Sequence, residues 1–243
     1  MAHKHLRLTL LILAVGIVPC MAQNASMQTP GGGAAEPQPK AEAPPVPDPL
    51  EPVNRGIYVF NDKLYFWVFK PVATGYKKAV PHAARRSIGN FFTYVTTPVR
   101  LANCLLQGEM GEAGTEIGRF AVNTTWGVFG LGDPAETELD LAPQREDLGQ
   151  TLAVYRMPHT MYITWPVLGP SSVRRTIGMI GDSFLDPTSY LDSGPRAAAG
   201  AIDRINTLSF RLGEYEDMKE AALDPYIALR DGFRQYRQGL IEK

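Results

Sequence analysis

From Asp48 onward, large apolar residues return every three to four positions along most of the chain, and this spacing commits the sequence to helices. The last segment shows it most plainly. Tyr226, Leu229, Phe233, Tyr236 and Leu240 share one helical face, while Arg230, Arg234 and Arg237 fall on others. Val53, Ile57, Phe60 and Leu64 repeat the pattern at the start, with Pro71 closing the run. Residues 81–95, 98–107 and 109–126 each open near a proline or a glycine-bounded polar residue, with Gly108 and Gly127 as stops. Ser171 or Ser172 is placed to cap a segment through Ile180, and residues 196–212 align Ile202, Ile205, Leu208 and Leu212. Residues 127–143 read as a Gly- and Pro-rich loop, and residues 160–168 are the one place where a short strand competes. A mostly α, single-domain body over 48–243 is expected.

The chain before that body is of another kind. Lys4 and Arg7 precede an apolar stretch from Leu8 to Val18, the pattern of an export signal over residues 1–22. The stretch is shorter than the roughly 20 apolar residues a membrane-spanning helix needs. Cys20 at its end fits a lipid-modified cysteine, whereas cleavage after Ala22 would leave Gln23 at the new N-terminus; the residues support both. Residues 23–47 hold six prolines between Pro30 and Pro47 together with Gly31, Gly32 and Gly33, a composition that makes a spacer rather than a core. Cys104, if Cys20 is acylated or removed, has no partner and reads as a small buried hydrophobe.

Reactive groups are scarce. Lys and Arg number 24 against 25 Asp and Glu, so no overall field favours nucleic acid. GDSF at 181–184 resembles the nucleophile block of some lipid esterases, yet such a serine needs a base. None of the four histidines, His3, His5, His82 and His159, follows Ser183, so Asp182 and Ser183 read as structural. The histidines are too scattered to make a metal set, GLGDPA at 130–135 is a turn, and no phosphate-binding loop is present. No cofactor is expected. By contrast Phe60, Tyr65, Phe66, Trp67, Phe69 and Tyr76 load the first helix and its exit on more than one face, which fits either the centre of a core or a membrane-embedded surface. Trp67 and Tyr76 beside Lys70, Lys77 and Lys78 suit a headgroup interface.

Seven stretches in order, DPLEPVNRGIYVFND (48–62), KPVATGYKKAVP (70–81), NFFTYVTTPVRLANCLLQG (90–108), GRFAVNTTWGVFGLGDPA (118–135), EDLGQTLAVY (146–155), WPVLGPSSVR (165–174) and DPYIALRDGF (224–233), resemble the MlaA/VacJ family of outer-membrane lipoproteins. The resemblance implies a ring-like helical body lodged in the inner leaflet of the outer membrane and facing the periplasm. Its amphipathic channel would passively take mislocalised phospholipids from the outer leaflet, with no enzymatic step. It also implies association with a trimeric porin and transfer of lipid to a periplasmic lipid-binding protein of an ABC-linked system. The family's Asn-Phe region linked with control of lipid flow falls on Phe60 and Asn61; Asn90, Asn123 and Asp133 fall on other family-typical polar positions, where capping is the simpler role. Arg175 and RMPHTMY at 156–162 depart from the family pattern. Two other functions remain open to the sequence: a periplasmic lipid esterase using Ser183, and a lipoprotein that only scaffolds porins.

Overall fold

The computed structural model describes residues 48–158 and 161–242; the signal segment, Cys20, the tether and His159 lie outside them. The described residues form helices α1 (Glu51–Leu64), α2 (Lys70–Ala79), α3 (His82–Val95), α4 (Thr97–Gln107), α5 (Met110–Thr125), α6 (Pro134–Thr137) and α7 (Leu148–Val154). A hairpin of β1 (Tyr162–Trp165) and β2 (Gly169–Ser172) follows, then α8 (Val173–Asp182), α9 (Ser193–Phe210), α10 (Glu214–Ala221) and α11 (Pro225–Gly239).

The helix ends follow from local chemistry. Gly108 takes the left-handed conformation (φ 80°) that closes α4. Asp147, Ser172 and Asp224 accept hydrogen bonds from first-turn amides at the starts of α7, α8 and α11. Pro71, expected to end the first run, does not. A π-helical turn, Tyr65–Phe69, joins α1 to α2, with the Lys70 amide reaching back to the Tyr65 carbonyl. Pro71 then sits in the first turn of α2, where its missing donor breaks little. The strand at 160–168 is present as β1, but its antiparallel partner β2, with Tyr162 opposite Ser172 and Trp165 opposite Gly169, carried no alternation to announce it.

The main packing contacts form a closed circuit. From α1 the chain of neighbours runs through the π-turn to α2, then to α9, α3, α4, α7, α8, β2 and β1, and β1 packs back on α1. Helix α5 lies against α4, and α11 against β2. At the α7–α8 crossing the backbones touch: a Cβ added at Gly178 would lie 2.4 Å from the Gly149 amide nitrogen. Two small apolar clusters anchor the circuit. Tyr65, Ala73 and Leu208 form one, and Tyr162, Tyr226 and Phe233 the other.

The apolar stripe of α1 faces the opposite way from the simplest expectation. Val53 and Phe60 are exposed, whereas the buried residues of α1 are Asn54 and Asn61. Periodicity finds the stripe and is silent on whether it meets a core or another apolar medium.

Candidate functional site: a polar interior inside an apolar exterior

The reversal seen on α1 recurs over much of the body, outside the two apolar clusters. Trp67 (74% exposed), Trp126 (72%), Phe129 (66%), Phe184 (70%) and Ile180 (62%) stand on the surface among many other large apolar side chains. Inside lie Arg85, Glu116, Arg119, Glu146, Gln150, Arg174 and Arg237. No helix among the described residues is long and apolar enough to cross a membrane. An exposed apolar surface of this extent marks contact with a membrane or another apolar surface.

Buried charge needs partners, since an unpaired ion in a low-dielectric interior is strongly unfavourable. Here each of three arginines has one. Arg100 meets Glu116 at 2.8 Å and also donates to the Thr93 carbonyl at 2.7 Å, joining α4 to the end of α3. Arg119 bonds Asp133 at 2.7 Å and also donates to the Leu141 carbonyl. Arg237 grips both oxygens of Asp147, one of them at 2.9 Å. Burial by itself would raise the Asp147 carboxyl, but the Arg237 guanidinium outweighs it and holds Asp147 below the usual range. Asp133 is held low by Arg119 and Asn123 against the same burial effect.

A cavity of about 430 Å³, open to solvent and lined mostly by polar residues, lies among α4, the start of α7, α8 and the chain leading into α9, within the roughly 300–1,000 Å³ typical of ligand sites. Arg100, Arg175 and Arg196 and the carboxylates Glu146, Asp147, Asp182 and Asp186 supply its charge of both signs. Burial pushes Asp182 up to about 6, although it accepts hydrogen bonds from Asn103 (2.9 Å) and the Leu148 amide (3.1 Å). Ser183 lines the same cavity and donates to the Ile180 carbonyl at 2.6 Å. His82 lies against the Phe210 ring, 5.4 Å between centroids. Glu109, Glu112 and Glu146 bring oxygens within 4.8 Å of one another, a grouping the sequence spacing did not show; Glu146 also accepts from Gln107 at 2.6 Å. Cys104 is fully buried, and burial with these carboxylates pushes its thiol up to about 12.

The residues named by resemblance fall in three places. Phe60 is exposed on the outer face of α1. Asn61, one position on, points inward: its amide donates to the Trp165 carbonyl at 3.0 Å and accepts from the Val167 amide at 2.7 Å. Asn54, two turns earlier, binds the Tyr162 carbonyl (3.2 Å) and the Thr164 amide (2.8 Å) in the same manner. The pair straps the hairpin to α1. Asn123 and Asp133 belong together, joined at 2.8 Å, with Asn123 also accepting from the Ala135 amide and Asp133 capping α6. Asn90 stands apart from these, with a long 3.5 Å contact to the Leu131 carbonyl. None of these residues lines the polar cavity. Sequence reasoning missed Asn54, Arg100, Asp147 and Arg237. Only Asn54 carried a usable signal, its seven-residue spacing from Asn61 on one helix face.

Residues 46–240 match the family model described as MlaA lipoprotein. The intermembrane phospholipid transport system lipoprotein MlaA of Escherichia coli is 29% identical over 191 residues, covering 77% of this chain and 76% of that protein. The protein of the same name from Haemophilus influenzae is 29% identical over 196 residues, covering 79% and 78%. An uncharacterised protein of Rickettsia conorii is 30% identical over 201 residues, covering 80% and 78%. A structure solved to establish the basis for maintenance of bacterial outer membrane lipid asymmetry superimposes with a TM-score of 0.72 at 30% identity. It covers 80% of this chain and 99% of the other. With a polar-lined helical circuit, an apolar exterior and a family match across almost all of the described body, the chain belongs to the MlaA lipoprotein family.

Proposed function

We propose that this protein withdraws mislocalised phospholipids from the outer leaflet of the outer membrane, through the polar cavity of its helical circuit, for transfer to a periplasmic lipid-binding protein of an ABC-linked system. The body sits in the inner leaflet facing the periplasm, beside a trimeric porin and tethered by acylated Cys20. The supporting observation is the reversed distribution of side chains: an exterior that stays in apolar surroundings around an interior that keeps a charged headgroup solvated. Arginines and carboxylates together on the cavity wall suit a group bearing phosphate. No bond need be made or broken, and lipid moves down its own gradient.

The test is a deletion strain complemented with the full chain, scored by the phospholipid extractable at the cell surface. Complementation is expected to lower surface phospholipid to the parental level, and Ser183→Ala to do so equally well. Porin binding with surface phospholipid unchanged by the full chain would overturn the conduit in favour of a scaffold.

A further inference from the structure

Between Lys63 and Gly108 the chain carries seven lysines and arginines and no aspartate or glutamate, although its overall net charge is only -1. Two of the seven are spent inside the fold: Lys70 pairs with Glu216 at 2.7 Å and Arg100 with Glu116 at 2.8 Å. Lys77, Lys78, Arg85 and Arg86 gather where the end of α2 turns through Pro81 into α3. Arg211, at the end of α9 beside them, adds a fifth cation. Among the described residues none of these five is paired with a carboxylate.

Arg85 shows how uncompensated this corner is. It is 5% exposed, its Nη1 donates to the Ser209 hydroxyl at 2.9 Å and carbonyl at 3.3 Å, and its guanidinium lies 4.5 Å from the centre of the Phe210 ring. Its Nε is buried with no hydrogen-bond partner. Hydroxyl, carbonyl and ring supply partial charges, as do the C-terminal ends of α2 and α9; none is the counter-ion that Arg100, Arg119 and Arg237 each have. Asp203, the one carboxylate within α9, sits seven residues before Phe210, about 10 Å back along the helix. The start of α3 has no side-chain cap and no acidic residue in its first turn, so its free amides add to the positive field.

Apolar residues precede these cations along the same run of helix. Trp67, Val68 and Val72 are exposed on the π-turn and the start of α2, and Lys77 and Lys78 are exposed on its last turn, roughly 10 Å further on. That order suits a helix whose middle meets acyl chains and whose end meets headgroups. Tyr76 is no part of that interface, since its hydroxyl bonds Asn206 at 2.9 Å.

We propose that the α2–α3 corner receives the phosphates of anionic phospholipids, so that this edge of the body selects a negatively charged leaflet. Lys77, Lys78 and Arg86 meet the headgroups directly, and Arg85 supplies a fixed positive charge behind them. The inference rests on the reading that the body sits in a leaflet, and adds the lipid chemistry of that leaflet.

The experiment offers the full chain, diluted from detergent, to two vesicle populations at once. One is phosphatidylcholine alone and the other phosphatidylcholine mixed with phosphatidylglycerol; separation by density gives the ratio of bound chain. An acyl anchor acts equally on both. The wild type is expected to favour the anionic vesicles, and Lys77→Gln with Lys78→Gln to cut that preference by about tenfold or more, at about 1 kcal/mol per cation. Arg85→Gln should lower it several-fold and Arg85→Lys keep it. Lys63→Gln with Arg156→Gln, which removes two exposed cations elsewhere, should leave it within about twofold.

Equal sharing of the wild type between the vesicles would overturn the proposal. So would an equal loss in both double variants, which marks net charge rather than the corner, or erasure of the preference by millimolar inorganic phosphate at constant ionic strength, which marks a free-anion site. Should Arg85→Gln not fold, the Lys77 and Lys78 pair decides alone. Wild type bound equally to both vesicles sinks this inference and spares the leaflet reading, whereas wild type bound to neither sinks that reading itself.

Discussion

Asn54 and Asn61 each turn both ends of a carboxamide to the backbone of the hairpin, Asn54 also donating to Asp48 at 2.9 Å, and most of what they hold is buried. Asn61→Ala leaves the Trp165 carbonyl and the Val167 amide without their partner, a change worth about 1–3 kcal/mol for a buried group. Denaturant titration should show that loss, with faster proteolysis near 165–169. Asp182 behaves differently. Its folded pKa of about 6 lies above the roughly 3.9 of an unfolded aspartate, so folding strengthens proton binding. The resulting stabilisation is complete below about pH 4 and lost as pH rises through 6. Asp133 and Asp147, held low, contribute in the opposite sense: their stabilisation is present above about pH 4 and lost as pH falls below it. Asp182→Asn should therefore flatten the stability profile between pH 4 and 6 and leave the acid limb intact, as read by unfolding at a series of pH values. Asn61 was legible because family resemblance pointed to it; the inward arginines were not, because a charge on a helix reads as solvated until its partner, far off in sequence, is seen.

Among the elements, the long helices were legible and their junctions were not. Stops such as Gly108 and caps such as Ser172 write themselves into the chain locally. The π-turn at Tyr65–Phe69 and strand β2 depend on what packs against them, so a local pattern could not reveal them. The α7–α8 crossing has no slack. Gly178→Ala drives a methyl into the Gly149 backbone and should lower stability by about 1–3 kcal/mol, the range of an overpacked core. Gly56→Ala, in α1 with nothing within 4 Å of the added carbon, should instead stabilise by about 0.5–1 kcal/mol. Thermal unfolding of the two variants side by side checks both signs.

For the whole molecule, the decisive property is which side of each helix meets which medium. The sequence showed amphipathic segments, and the seven family blocks implied a ring, but only the packed structure shows arginines within and tryptophans without. Trp126 and Phe129 project together from the turn after α5, whose Gly130 is left-handed (φ 82°) and has no room for a side chain beside Tyr94. Burying a large aromatic side chain stabilises by about 1.5–3 kcal/mol. Trp126→Glu should therefore weaken partition into phospholipid vesicles by about tenfold or more. Vesicle flotation measures it, and quenching of Trp126 by brominated acyl chains should disappear with the substitution.

The outward-facing aromatic and aliphatic surface also governs the time before a bilayer is reached. In water, two newly made copies would adhere through those faces sooner than either could stay dispersed. Until that surface meets lipid, the concentration of free copies sets how long they stay apart.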